Sequence, residues 1–161
     1  MEKSPRVVHV GVADLCVVAS RRLLVSSALG SCMGVALYDR THRVGGLAHI
    51  MLPSQVRTNG YHPVGKFADM AIPVMIEQMK KAGANPVRLV AKIMGGAEMF
   101  VDTGTVSIGE RNIFAVKSML RTSGIRVVAS DVGGHHARTI EFDTGTGVVT
   151  VRSVRYGVKE L

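Results

Sequence analysis

The sequence predicts an α/β fold: one domain of many strands, several in antiparallel hairpins, with two helices set among them. Three observations lead there. Two stretches space their apolar residues for helices, and short runs rich in β-branched residues stop at glycine, proline or polar clusters. The chain has 161 residues, the length of a single domain, here expected to span residues 1–161.

In chain order, Val7 to Val18 mixes β-branched residues with polar breaks and reads as one or two strands. Leu23-Leu24-Val25 is a short apolar run. Met33 to Tyr38 and Val44 to Leu52 form a predicted hairpin around the polar turn Asp39-Arg40-Thr41-His42, ending at Pro53. Ser54 to Pro63 reads as a loop. From Val64 the spacing turns helical, with Phe67, Met70, Ala71, Val74 and Gln78 on one face and Gly83 as terminator. Pro73 inside that stretch implies a kink or a later start. Met70, Met75 and Met79 read as core filling.

Val87 to Met94 reads as a strand before Gly95-Gly96. Ser107 and Glu110 have the spacing of a capping box, which starts a second helix. Ile113, Val116 and Leu120 share its apolar face, and Gly124 closes it. Ile125 to Ala129 is another strand, with Gly133-Gly134 as a turn. Thr139 to Phe142 and Val148 to Val154 make a second hairpin around Asp143 to Gly147.

Composition narrows the function classes. Apolar residues make up 47% and charged residues 20%, which excludes a wholly disordered chain. No apolar stretch reaches the roughly 18 residues of a membrane span. Arg6, His9 and Asp14 break up any secretory apolar core, so the expected location is the cytoplasm, without membrane insertion. The net charge of +8 is spread along the chain, with no long Lys/Arg run and few aromatic residues for base stacking. A solvated basic surface is therefore expected, and no nucleic-acid partner. The two cysteines and six histidines have no zinc-ligand spacing, so no structural zinc site is expected, and the thiol–imidazole chemistry described next needs no metal or organic cofactor. His135-His136 point to opposite faces of an extended chain.

One constellation carries chemistry. Cys32 and His49 are 17 positions apart, and a hairpin symmetric about the Arg40–Thr41 bond sets them opposite each other. A one-residue slip would place them on opposite faces. An adjacent imidazole can take the proton of a thiol and leave a thiolate nucleophile. Gly30-Ser31 before Cys32 can turn backbone N–H groups toward an oxyanion. A hydroxyl or carbonyl of the Ser26-Ser27 segment is a candidate for orienting the imidazole. The alternatives are a buried apolar cysteine, a core histidine bonded to a carbonyl, and serines that bond their own backbone. Cys16, in Leu15-Cys16-Val17-Val18, reads as a structural thiol.

Leu29-Gly30-Ser31-Cys32, Leu37-Tyr38-Asp39 and Gly46-Leu47-Ala48-His49-Ile50-Met51-Leu52-Pro53 together resemble the chemoreceptor glutamine deamidase family, CheD. The resemblance continues through Gly65-Lys66-Phe67-Ala68-Asp69, Lys92-Ile93-Met94-Gly95-Gly96-Ala97, Ile108-Gly109-Glu110-Arg111-Asn112 and Asp131-Val132-Gly133-Gly134. It implies a layered sandwich of β-sheets flanked by helices, and hydrolysis of glutamine side chains on chemotaxis receptors to glutamate. It implies Cys32 as nucleophile and His49 as base. The family's third catalytic position, a threonine, falls on Ser26, which keeps the hydroxyl. Two other departures are Ala28 in place of a frequent glycine and His135 in place of a frequent asparagine. The implied partners are the receptors' cytoplasmic domains and a CheC-type phosphatase. The competing reading is a non-catalytic module that docks on receptors or on the phosphatase.

Overall fold

In the computed structural model, which describes residues 3–55, 60–100 and 104–161, the chain runs β1 (Arg6–His9), β2 (Leu15–Val18), β3 (Arg22–Leu29), β4 (Met33–Asp39), β5 (Val44–Ile50) and α1 (Ala68–Lys81). It continues with β6 (Val90–Gly95), α2 (Ile108–Thr122), β7 (Arg126–Val132), β8 (Arg138–Asp143), β9 (Val149–Ser153) and β10 (Gly157–Glu160). Two five-stranded sheets result, in the orders β1-β3-β8-β9-β10 and β2-β5-β4-β6-β7. The fold is the expected layered α/β sandwich.

Burial patterns explain the layering. β8 alternates buried and half-buried residues, as a strand with one solvated face does. Every residue of β4 and β5 is buried, because their sheet is covered on both sides. Met33, Val35 and Leu37 of β4 pack with Ile72, Met75 and Met79 of α1 and Val116 and Leu120 of α2. Ala36 and Tyr38, on the other face, pack with Leu24, Ile140 and Phe142 of the first sheet. The Tyr38 and Phe142 rings meet edge-on at 5.7 Å. Full burial of each large aliphatic residue contributes roughly 1.5–3 kcal/mol, so both layers are needed.

Several expectations change in detail. The Val7–Val18 stretch is two strands in different sheets, and β1 pairs with β3 in parallel. α1 starts at Ala68, and its buried face is Ala68, Ala71, Ile72, Met75 and Met79 rather than one through Val74 and Gln78. The exposed Gln78 gives way to the thioethers one position along, which carry more apolar surface. Pro86–Arg88 is a 3-10 turn, capped by Asn85, so the next strand begins at Val90 rather than Val87. Proline at the first turn position and the Asn85 side chain bonding Val87 N–H favour that turn over extension. Ser107 caps α2 by accepting from the Glu110 N–H. β6, α2 and β7 form a parallel crossover, and β10 is an edge strand with no counterpart in the sequence reading. The proposed Ser54–Pro63 loop includes residues 56–59, which lie outside the described residues.

Candidate active site

The register of β4 and β5 corrects the hairpin. Asp39 pairs with Val44 and Gly34 with His49, so the centre lies between Thr41 and His42 rather than between Arg40 and Thr41. The loop is therefore the four residues 40–43, and Arg43 adopts a left-handed φ of 52° at its end. Asp39 holds it: its buried carboxylate accepts from the His42 N–H, the His42 ring and the Asn85 N–H. Cys32, one residue before β4, is thus diagonal to His49 rather than directly opposite. The shift is two residues, so strand parity keeps both side chains on a common face, although no hydrogen bond joins them and His49 Nε2 has no partner among the described residues.

The position opposite His49 is Gly34. A Cβ there would collide with Ile140 Cδ1 and come within 3.1 Å of Leu29 Cδ1, so glycine is what lets the two sheets close over this end.

Ser26 reaches His49 from the other sheet. It lies on the inward face of β3, two residues after the buried Leu24, and its hydroxyl is 2.8 Å from His49 Nδ1. The same hydroxyl is 2.8 Å from the Val10 carbonyl oxygen. A carbonyl can only accept, so the single hydroxyl proton goes to Val10 and Nδ1–H must donate to Ser26. That fixes the tautomer: Nε2 carries the lone pair. Nε2 is buried and has no hydrogen-bond partner among the described residues. Burial pushes the imidazole below its ordinary pKa, so the His49 ring is neutral near pH 7.

Cys32 is half-buried against the inter-sheet core, and burial pushes its thiol pKa up. Thiol and imidazole are therefore both neutral at rest. The backbone around Cys32 is pinned on several sides. Its carbonyl accepts from Gly96 N–H and the Gly30 carbonyl from Ala97 N–H, both at 2.9 Å. Gly95, at φ +102°, passes so close that a Cβ would overlap the Cys32 carbonyl oxygen. Beyond it, Gly133 N–H donates to the Gly95 carbonyl, and the buried Arg138 donates to the Gly133 carbonyl at 2.8 Å. His49 is pinned likewise, with N–H to Asp14 O at 2.9 Å and O to Ala13 N–H at 3.0 Å.

Other candidates fall elsewhere. Cys16 pairs with Leu47 on β2 and has no histidine in its register position. Its pKa is raised by burial and then by Asp14. Ala28 sits at φ +58° in a β-bulge between Ser26 and Leu29, the conformation a glycine takes without strain. His135 is exposed, with Nδ1 3.1 Å from the Glu98 carbonyl. Among the described residues no group of three His, Cys, Asp or Glu is placed to hold a metal.

The sequence places Asn112 in the Ile108–Asn112 match but assigns it no role. It is fully buried on α2 in line with Val116 and Leu120, so its signal was an amide at a core position of an amphipathic helix. Its role emerges only when α2 lies over the site.

Comparison with known proteins bears on the whole chain. The family model "CheD chemotactic sensory transduction" matches residues 51–153, beyond all three of Ser26, Cys32 and His49. A "Probable chemoreceptor glutamine deamidase CheD" of Caldanaerobacter subterraneus is 44% identical over 96% of this chain and 97% of its own. A protein of the same description from Desulforamulus reducens is 45% identical over 91% and 90%. "Probable chemoreceptor glutamine deamidase CheD 2" of Geobacter metallireducens is 42% identical over 97% and 99%. Among solved structures, the Bacillus licheniformis hypothetical protein YfiH aligns with a TM-score of 0.47 and 14% identity over 73% of this chain and 49% of that one, too slight a likeness to carry an argument. Identity at this level, sustained from end to end in relatives of nearly equal length, means that this chain belongs to the CheD family.

Proposed function

We propose that the protein hydrolyses glutamine side chains on the cytoplasmic domains of chemotaxis receptors to glutamate, with Cys32 as nucleophile, His49 as base and Ser26 as the group that orients it. The observation that carries this reading is the Ser26–His49 hydrogen bond, which leaves an unpartnered Nε2 lone pair on the face that Cys32 shares. The names of the relatives, each reading "Probable chemoreceptor glutamine deamidase", support the substrate class.

His49 Nε2 takes the Cys32 proton as the sulfur attacks the glutamine amide carbon. The C–S bond forms while the carbonyl π pair moves to oxygen, where N–H groups of the Gly30–Cys32 turn stabilise it. The imidazolium returns the proton to the amide nitrogen, ammonia leaves and a thioester remains. Water, deprotonated by His49, attacks the thioester, and the Cys32 sulfur departs and regains its proton. The receptor gains one carboxylate per event, a charge change able to bias a two-state signalling element. Regulation by a CheC-type phosphatase is part of the same proposal.

The test is mass spectrometry of a native receptor's cytoplasmic fragment after incubation with the protein. Conversion of particular glutamines to glutamate, absent with Cys32→Ala, is the expected result. Unchanged receptors together with tight receptor binding would replace the enzyme by the docking module.

A further inference from the structure

We infer that Asn112 is a positioning residue of this site, holding the strand ends that carry Cys32 and His49 in mutual register. The inference rests on the proposed thiol–imidazole pair and adds a residue from the third layer of the fold.

Asn112 is completely buried on α2, at the position that Val116 and Leu120 repeat at four-residue intervals. An apolar side chain would fill that position as well as its neighbours do. Instead the amide nitrogen donates two hydrogen bonds of 2.9 Å, one to the Ser31 carbonyl and one to the Met51 carbonyl. Two carbonyl partners settle which end of the amide is nitrogen. Ser31 immediately precedes Cys32, and Met51 lies two residues after His49, just beyond the last β4–β5 pair, Met33 with Ile50. The ladder between the strands stops there, and Asn112 ties the two chains together where it stops. Its own Oδ1 is buried without a partner among the described residues, a cost that an apolar residue would not bear. A buried polar group kept at a cost points to what its donors do, and both donors act on the backbone flanking the reacting pair.

α2 is seated firmly enough to transmit this. A Cβ on Gly109, one turn earlier, would overlap the Ala97 carbonyl oxygen and crowd that of Gly96, so the first turn rests against the Gly96-Ala97 backbone. That same segment bonds the Cys32 and Gly30 carbonyls. Helix, glycine strand end and nucleophile turn form one connected frame.

The experiment measures alkylation of Cys32 by iodoacetamide across pH, and steady-state deamidation, in the intact protein. The variants are Asn112→Ala, Asn112→Asp, His49→Ala and the double variant Asn112→Ala/His49→Ala. Leu120→Ala serves as a control that disturbs the α2 core without touching the site. Misplacement of a reacting pair by about an ångström can cost around a hundred-fold, so kcat in both Asn112 variants should fall about ten- to a hundred-fold with KM nearly unchanged. Alkylation near neutral pH should fall in parallel, and the pH profile should approach that of His49→Ala. Since Asn112 acts through the pair, the double variant should be no slower than His49→Ala alone. Full additivity, an equal loss in Leu120→Ala, alkylation insensitive to Asn112, or alkylation insensitive to His49 would each overturn the inference. Alkylation needs no receptor, so an inactive wild type whose Cys32 reactivity still depends on His49 and Asn112 would sink the deamidase reading and leave this one standing.

Discussion

The two cysteines are a natural experiment in what makes a thiol reactive. Both are half-buried, both pack against the core between the sheets, and burial raises the pKa of both. Cys16 lies opposite Leu47 with the Asp14 carboxylate raising its pKa further. Cys32 shares a face with an imidazole whose free nitrogen is fixed by Ser26. Neither thiol is acidified by its surroundings, so on the proposed mechanism the distinction lies in whether a base stands ready to take the proton. A neutral pair suits this chemistry, because charge develops only as the sulfur attacks.

The strongest way to break that comparison is to exchange the roles. Cys32→Ala should lower deamidation by at least about a thousand-fold, the scale seen when a nucleophile is removed. Cys16→Ala should leave kcat within a factor of about two and cost only the roughly 1 kcal/mol of a small buried group. Comparable losses from both, in a receptor deamidation assay with thermal melts alongside, would show that burial rather than partnership marks the site.

Ser26→Ala tests the partnership itself. It removes the acceptor of Nδ1–H and frees the ring to take the other tautomer, so kcat should drop about ten- to a hundred-fold. Ser26→Thr keeps the hydroxyl and should retain most activity. Equal kinetics for the Ala and Thr variants would remove Ser26 from the site.

pH sharpens the comparison further. On the proposed mechanism the active form has a neutral imidazole and a neutral thiol. Its acid limb follows His49, which burial depresses, and should fall below the ordinary histidine value of about 6.5. Its alkaline limb follows Cys32, which burial raises, and should lie above the ordinary thiol value of about 8.5. Stability follows the same group. An imidazole held below its unfolded value binds its proton first in the unfolded chain, so stability present above about pH 6.5 declines as pH falls through that window. A kcat/KM profile with an acid limb above about 6.5 would contradict a buried neutral base. His49→Gln should flatten the corresponding part of the stability curve.

The smallest effect concerns the bulge beside the site. Ala28, exposed at φ +58°, carries the cost of about 1–2 kcal/mol that a left-handed conformation imposes on a non-glycine residue. Glycine would relieve it but lose more chain entropy on folding, so Ala28→Gly should stabilise by up to about 1 kcal/mol. Chemical denaturation measures this directly. Destabilisation by Ala28→Gly would mean that alanine is stiffening the turn toward its native shape.

Much of the fold was legible because its signals are local. The α2 cap at Ser107, the four-residue repeat of Val116 and Leu120, and the Val149 strand after the Gly147 turn each follow from a few adjacent residues. The common parity of Cys32 and His49 was legible too, because moving the turn centre by one position shifts the pairing by two residues, and the period of a strand is two. The start of α1 and the 3-10 turn at Pro86 were less so, since proline permits more than one boundary.

Spacing alone determined that Cys32 and His49 belong to one hairpin, and composition that the chain could build a core around them. Only the tertiary structure shows the Ser26 hydroxyl against His49 Nδ1, which the resemblance had implied without a contact, and the Asn112 amide bridging the strand ends. Ser26 comes from the opposite sheet and Asn112 from a helix 63 positions beyond His49. Contacts between layers depend on sheet order and helix seating, which arise from the summed burial of both cores rather than from any local run of residues.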